Sequence, residues 1–260
     1  MSLPTRFTRA LAAARSRYDE IALQPPGWAA GAGEAARHGD PAAWQELLRW
    51  CRPRPAAADP SRAASPWRHA AAGDFAIGVL EAPPSDAGAP AAGIERPPHP
   101  DAAAQADRER PLRRWADAFG RHLDGSTRLE SLSPPAGLGW RLGILAREVL
   151  AEALPGHPRP SDDPWDVGWA RVAPASIRRL ERGFAPRRPT LILALGSDSR
   201  HYDMALPSLA QRRDDLRHPL RWLWVGEPVT EQSPRLAAAW RAVLAGSAFA
   251  GPSTPASPTA

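Results

Sequence analysis

The sequence predicts an α/β fold whose C-terminal part contains parallel strands, preceded by a helical, proline-rich N-terminal part. The apolar run 190–195 (TLILAL) has the length and composition of a strand buried on both faces, and the run 220–225 (LRWLWV) is predicted to be a second strand. Leucines at helical spacing follow each run. Strand, helix, strand and helix in close succession predict a βαβα unit with parallel strands and a right-handed crossover.

Helical periodicity also marks the N-terminal part. Residues 4–23 repeat apolar side chains at intervals of three and four, which predicts a first helix. Asp40 as N-cap and Pro41 at the first helical position predict a second, short helix, which the prolines after Cys51 end. Residues 75–80 are predicted to form a strand.

Further helices and one short strand are predicted between residue 105 and the tail. The short strand is 167–172, and the last helix begins with Ser233 as N-cap and Pro234. The predicted apolar helix faces are Leu112, Trp115, Phe119 and Leu123; Leu138, Leu142, Leu145, Val149 and Leu150; Ile177, Leu180 and Phe184; Leu206, Leu209 and Leu216; and Leu236, Trp240, Val243 and Leu244.

Composition divides the chain into four predicted parts. Residues 1–81 form a helical N-terminal region with irregular segments, and 82–104 form a linker rich in Pro, Ala and Gly. Residues 105–245 form the α/β domain, and 246–260 form a disordered tail. The linker, the tail and the irregular segment 53–66 are expected to be mobile, because their composition buries little area on ordering.

The amino-acid composition reflects the G+C content of the gene. The 260 residues include no Lys and no Asn, but 31 Pro and 11 Trp. Lys and Asn have A-rich codons, so this arginine-rich and tryptophan-rich composition predicts a bacterial gene of high G+C content. Arginine enrichment by itself therefore predicts no function.

Charge and cysteine content exclude several classes of protein. The net charge of +5 favours solubility and permits weak attraction to polyanions. The single cysteine, Cys51, excludes an internal disulfide and a cysteine-based zinc site. No apolar run reaches the roughly 18 to 20 residues of a transmembrane helix. We therefore expect a cytoplasmic location and no membrane partner.

Polar loops follow the two clearest predicted strands. Ser197, Asp198 and His201 lie in the loop after the first strand, and Glu227 follows the second. Ligands of open parallel sheets bind beyond the carboxyl ends of the strands. If the strands are neighbours, Asp198 and Glu227 emerge side by side and can hold a metal or act as acid and base, with Ser197 as nucleophile and His201 as base.

The structural interpretation of these loops is the stronger one. Gly, Ser and Asp are common in turns that leave a strand, and catalytic triads usually draw on separate segments. The sequence has no Walker, dinucleotide-binding or nucleophile-elbow motif, and the seven histidines show no i, i+4 pair. No cofactor and no metal site are therefore predicted.

Positive charge is concentrated in one region. Residues 171–221 contain eleven Arg against five acids, and tryptophans lie beside this region, at Trp169 and Trp222. This combination suits phosphate binding and base stacking, but no known recognition motif accompanies it. A solvated arginine surface is the simpler interpretation in a gene of this composition.

Three functions are compatible with these features. We favour a non-catalytic interaction or adaptor protein whose partner is another protein, since no complete catalytic motif is present. The alternatives are a metal- or phosphate-dependent enzyme that uses residues 196–203, and a nucleic-acid-binding protein that uses Arg171–Arg221. An exposed aromatic patch would favour the first, a pocket joining Asp198, Glu227 and His201 the second, and an acid-free arginine surface the third.

Overall fold

The computed structural model describes part of the chain. The described residues are 21, 23–27, 40–52, 75–82, 102–153, 163–186, 188–216, 218–228 and 240–243. The predictions for 4–20, for 53–66, for most of the linker and for the tail lie outside them.

Within these residues, five strands form one parallel sheet. They are β1 (Phe75–Glu81), β2 (Asp166–Trp169), β3 (Thr190–Leu195), β4 (Leu220–Val225) and β5 (Trp240–Val243). Their order across the sheet is β2-β3-β4-β1-β5, and every neighbouring pair is parallel. The predicted α/β class is confirmed.

Helices connect the strands. They are α1 (Pro41–Cys51), α2 (Ala102–Leu123), α3 (Ser126–Ser131), α4 (Pro134–Ala153), α5 (Pro174–Gly183) and α6 (Ala205–Gln211), with 3₁₀ turns at Gly196–Tyr202 and Arg213–Asp215. Asp40 caps α1 as predicted, because its Oδ1 accepts the N–H of Ala43 at 2.9 Å. No helix in the described part of the chain is long and apolar enough to cross a membrane.

One predicted helix is wrong where the structure describes it. Trp240–Val243 is a strand, β5, which pairs with β1 so that Trp240 lies opposite Gly78. Trp and Val favour strands, and in this short segment the unpaired edge of β1 offers backbone partners that outweigh helical spacing. Residues 233–239, the start of that predicted helix, lie outside the description.

The sheet takes strands from both sides of the predicted linker. β1 belongs to the predicted N-terminal region, yet it lies between β4 and β5, with Phe75 opposite Leu220. Of the predicted linker, residues 102–104 already belong to α2. The four-part division of the chain stays a prediction.

Helices cover both faces of the sheet, and each face has its own core. On face A, Trp44 of α1 and Phe119 of α2 are buried with Leu193 and Leu223. On face B, Leu180 of α5 and Leu209 of α6 are buried with Ile192, Trp222 and Trp224. The apolar side chains of 190–195 and 220–225 predict a single core that includes Leu193 and Trp222. This prediction is wrong, because successive strand residues point to opposite faces.

Aromatic rings contribute to both cores. On face A, the rings of Trp115 and Phe119 lie 5.5 Å and 5.1 Å from that of Trp44. On face B, Trp222 lies 4.9 Å from Tyr202 and 5.5 Å from Trp224. These edge-on contacts are the arrangement that aromatic quadrupoles favour.

A buried arginine joins β4 to the end of α1. Arg221 is 1% exposed, and its guanidinium donates to the carbonyl oxygens of Trp50 at 3.0 Å and Arg52 at 3.4 Å. A helix C-terminus has carbonyls without intrahelical partners and a partial negative charge. The Arg221 guanidinium therefore caps the C-terminus of α1 and holds this helix on face A.

Candidate functional site

The carboxyl edge of the sheet is where this fold places a ligand site. α2, the described helix that follows β1, packs on face A, whereas α6, which follows β3, packs on face B. In open parallel sheets, ligands bind at the carboxyl edge where connections leave to opposite faces. The loops after β3 and β4 lie on this edge.

The two loops touch through their backbones. β3 and β4 are neighbours, with Leu195 opposite Val225. A Cβ on Gly196 would overlap the carbonyl of Glu227 and lie 2.7 Å from the carbonyl carbon of Gly226. Gly226 itself has φ +90, a conformation that other residues rarely adopt. Glycines at both positions allow the close approach of the loops.

A buried carboxylate from α2 anchors the first loop. Glu109 is 7% exposed, and its Oε1 accepts the N–H of Ser197 at 3.3 Å. Its Oε2 accepts the Ser197 hydroxyl at 3.2 Å. A Cβ on Gly226 would lie 3.0 Å from the same carboxylate, so Glu109 sits against both loops.

Asp198 influences a buried tyrosine. Asp198 is half-buried, and Tyr202, in the same 3₁₀ turn, is buried on face B. Burial raises the pKa of the Tyr202 phenol, and the negative charge of Asp198 raises that pKa further. Among the described residues, neither the Tyr202 hydroxyl nor the Trp222 indole N–H has a hydrogen-bond partner.

The remaining candidates face solvent. His201 and Glu227 are both exposed, and the Ser197 hydroxyl donates to Glu109, an acceptor that the sequence did not suggest. The described part of the chain contains no group of three His, Cys, Asp or Glu side chains that could hold a metal ion. A catalytic role for Ser197, Asp198, His201 and Glu227 stays a prediction.

Glu109 is the residue that sequence reasoning missed at this edge. It lies in a charged stretch of α2, among arginines and an aspartate, although its position three residues before Leu112 and seven before Ala116 places it at the edge of the apolar helix face. Its partner Ser197 is 88 residues away in sequence. The two hydrogen bonds hold the loop after β3 against α2, which is a structural use of a carboxylate.

Comparisons with known proteins give no relative. No protein family, no curated protein and no solved structure matches the chain.

A ligand screen separates a site from a structural turn. We expect Mg²⁺, Mn²⁺, Ca²⁺ and nucleotides to leave the melting temperature unchanged, and Asp198→Ala to change stability by no more than about 1 kcal/mol. Glu109→Ala should cost more, about 1–3 kcal/mol, because it removes the carboxylate that accepts hydrogen bonds from the backbone N–H and the hydroxyl of Ser197. Thermal and urea unfolding measure both effects.

The contrary result is equally specific. A ligand that raises the melting temperature of the wild type but not of Asp198→Ala would establish binding at this loop. That outcome would favour the metal- or phosphate-dependent enzyme over the interaction protein.

Proposed function

We propose that this protein is a non-catalytic interaction protein that binds another protein through an exposed apolar face of α4. The observation that carries the proposal is a pair of exposed leucines: Leu138 is 60% and Leu142 is 47% exposed. They are four residues apart and so lie one above the other on the same side of the helix.

The opposite side of α4 packs against the protein. Trp140 lies against Gly125, and the guanidinium of Arg128 is 5.6 Å from its ring. Gly137 is buried, with Leu129 within van der Waals distance of its Cβ position. At about 100° per residue, Leu138 and Leu142 point away from this side. The leucines are exposed because α4 already uses its other side for docking.

The outward surface is apolar over two turns. Gly139 and Ala146 are exposed beside the leucines, and nothing lies within 4 Å of the Gly139 Cβ position. We call Leu138, Gly139, Leu142 and Ala146 the α4 leucine face. Single exposed leucines are ordinary, but adjacent ones on a smooth helical surface are typical of an interface. Burying one leucine contributes about 1.5–3 kcal/mol.

The border of this face indicates the chemistry of the partner. Arg141 is exposed next to Leu142 and makes no hydrogen bond, ion pair or ring contact with another described residue. An amphipathic helix with an apolar stripe and an acidic residue at its edge complements both features. We therefore infer that the partner presents such a helix.

Aromatic residues do not form this surface. The tryptophans whose side-chain exposure the structure describes are buried or half-buried, so the exposed aromatic patch considered from the sequence is not found among them. Aliphatic side chains take the role that aromatic anchors have in many interfaces.

Site-specific photocrosslinking in the native cells tests the proposal. A photoreactive phenylalanine derivative at position 142 should crosslink one protein, and Leu138→Arg in the same chain should abolish that adduct. Once the partner is purified, Leu142→Arg should weaken binding at least about 30-fold, equivalent to 2 kcal/mol. Met204 supplies the matched control, since it is 72% exposed in a turn outside α4.

Two results would overturn the proposal. The first is the same crosslinked products from positions 142 and 204, which would show contact without specificity. The second is a fall of several degrees in the melting temperature of Leu142→Arg, which would show that Leu142 packs within its own chain.

A further inference from the structure

α5 presents a basic surface that is separate from the α4 leucine face. Ser176 and Leu180 are buried beneath the helix on face B. Arg178, Arg179 and Arg182 are exposed and lie within about 100° of each other around the helix axis. We call these three residues the α5 arginine face.

No acidic residue interrupts this face. The only acid of α5 is Glu181, which is half-buried and lies at the border of this face, about 60° around the helix axis from Arg178. Ala175 is the other exposed residue between the arginines. High G+C content explains why the basic residues are arginines, but it does not explain why acids are missing here.

Other arginines of the same region have structural roles. Arg221 closes α1, as described above, and Arg212 donates to the carbonyl oxygen of Leu180 at 3.1 Å. Arg188 pairs with Asp166 at 3.6 Å. By contrast, the side chains of Arg178 and Arg182 make no hydrogen bond, ion pair or ring contact with the described residues, whereas Arg179 has a contact of its own. The charges of Arg178 and Arg182 are available to an external anion.

We propose that the α5 arginine face binds the phosphate backbone of a duplex nucleic acid, without reading its sequence. Guanidinium groups suit phosphate because they donate two parallel hydrogen bonds to its oxygens. Arg178 and Arg182 are one helical turn apart, a spacing of about 6 Å that lets them reach successive phosphates.

The surroundings of this face favour a duplex over other polyanions. Proteins that bind single strands stack bases on aromatic side chains, and none of the aromatic side chains whose exposure the structure describes is exposed. Helices that bind membranes insert an apolar face, but that of α5 is buried in the core. Backbone contact to a duplex needs neither feature.

Salt dependence gives the quantitative expectation. Contacts from Arg178 and Arg182 release counterions from about two phosphates, so log K should fall with log salt with a slope of about −1.8. Arg178→Gln/Arg182→Gln should reduce that slope to near zero. Binding at 50 mM NaCl should weaken roughly 100-fold on the same basis.

Fluorescence anisotropy of a labelled 20-base-pair DNA duplex, from 50 to 200 mM NaCl, measures both quantities. Arg110→Gln/Arg114→Gln is the control for net charge: it removes two exposed arginines of α2, also four residues apart, of which Arg110 pairs with Asp107 at 3.0 Å. Arg178→Lys/Arg182→Lys, which keeps the charge, should retain most of the slope. Thermal unfolding should show all three double variants folded.

Each outcome decides the proposal. A large loss in the α5 glutamine variant alone supports it. Equal losses in the α2 and α5 glutamine variants would overturn it, because they would show a response to net charge only. Absence of duplex binding at 50 mM NaCl, or stronger binding to phosphatidylserine vesicles than to the duplex, would also overturn it.

Discussion

Leu193→Ala should lower the free energy of unfolding by about 2–5 kcal/mol, the range for removing a large side chain from a packed core. Leu193 is fully buried in β3, where it lies between Trp169 of β2 and Leu223 of β4. Both neighbouring strands and α2 surround the side chain on face A, so the cavity left by the substitution cannot collapse easily. Urea unfolding gives the loss from the shift of the midpoint.

Leu138→Ala is the control for this experiment. It removes the same atoms from an exposed position and should change stability by less than about 0.5 kcal/mol. A loss below 0.5 kcal/mol for Leu193→Ala as well would mean that β3 does not lie inside the sheet.

Arg221→Met should lower stability by about 2–4 kcal/mol. The substitution keeps much of the apolar stem but leaves the carbonyl oxygens of Trp50 and Arg52 without the cation that donates to them. Buried acceptors that lose a partner cost about 1–3 kcal/mol each. The same guanidinium lies 5.7 Å from the Trp50 ring, an additional attraction that methionine cannot supply.

Two comparisons isolate the cause of that loss. Arg182→Met, at an exposed position, should stay within about 0.5 kcal/mol of wild type. Arg221→Lys should recover only part of the loss, because an ammonium group cannot reach several carbonyls as a planar guanidinium does. If Arg221→Met were as stable as wild type, the free energy lost by burying the Arg221 charge would equal the free energy gained from its hydrogen bonds.

Cys51 provides an independent readout of the same substitution. Burial raises the pKa of its thiol to about 12, and the positive charge of Arg221 opposes that increase. Folded Arg221→Met should therefore hold Cys51 in the thiol form at least as strongly as the wild type. Reaction with a thiol reagent at pH 8 should remain slow until the protein unfolds.

Local pattern was sufficient for the elements buried on both faces. β3 is a continuous apolar run after Pro189, and β4 is apolar except for Arg221. Such runs have few alternatives to a strand inside a sheet. α1 was predictable for a different reason, because Asp40 and Pro41 fix its start through local hydrogen bonding and backbone geometry.

Elements that depend on distant partners were not predictable. Trp240–Val243 fits a helix by spacing, and only the edge of β1 makes it a strand. Glu109 looks like one charge among many on α2, and its burial depends on Ser197 and Gly226. Their separation in sequence exceeds the reach of any local pattern.

The position of β1 has a consequence for synthesis of the chain. Its described neighbours, β4 and β5, both come late, since Phe75 pairs with Leu220 about 145 residues further on. At roughly 5–20 residues per second, a ribosome needs about 7–30 s to cover that distance. During this interval Ile77, Val79 and Leu80 have no strand to pair with. Among the described strands, β1 is therefore the one whose partners are synthesised after the longest delay. During that delay a chaperone would have to shield it from other nascent chains.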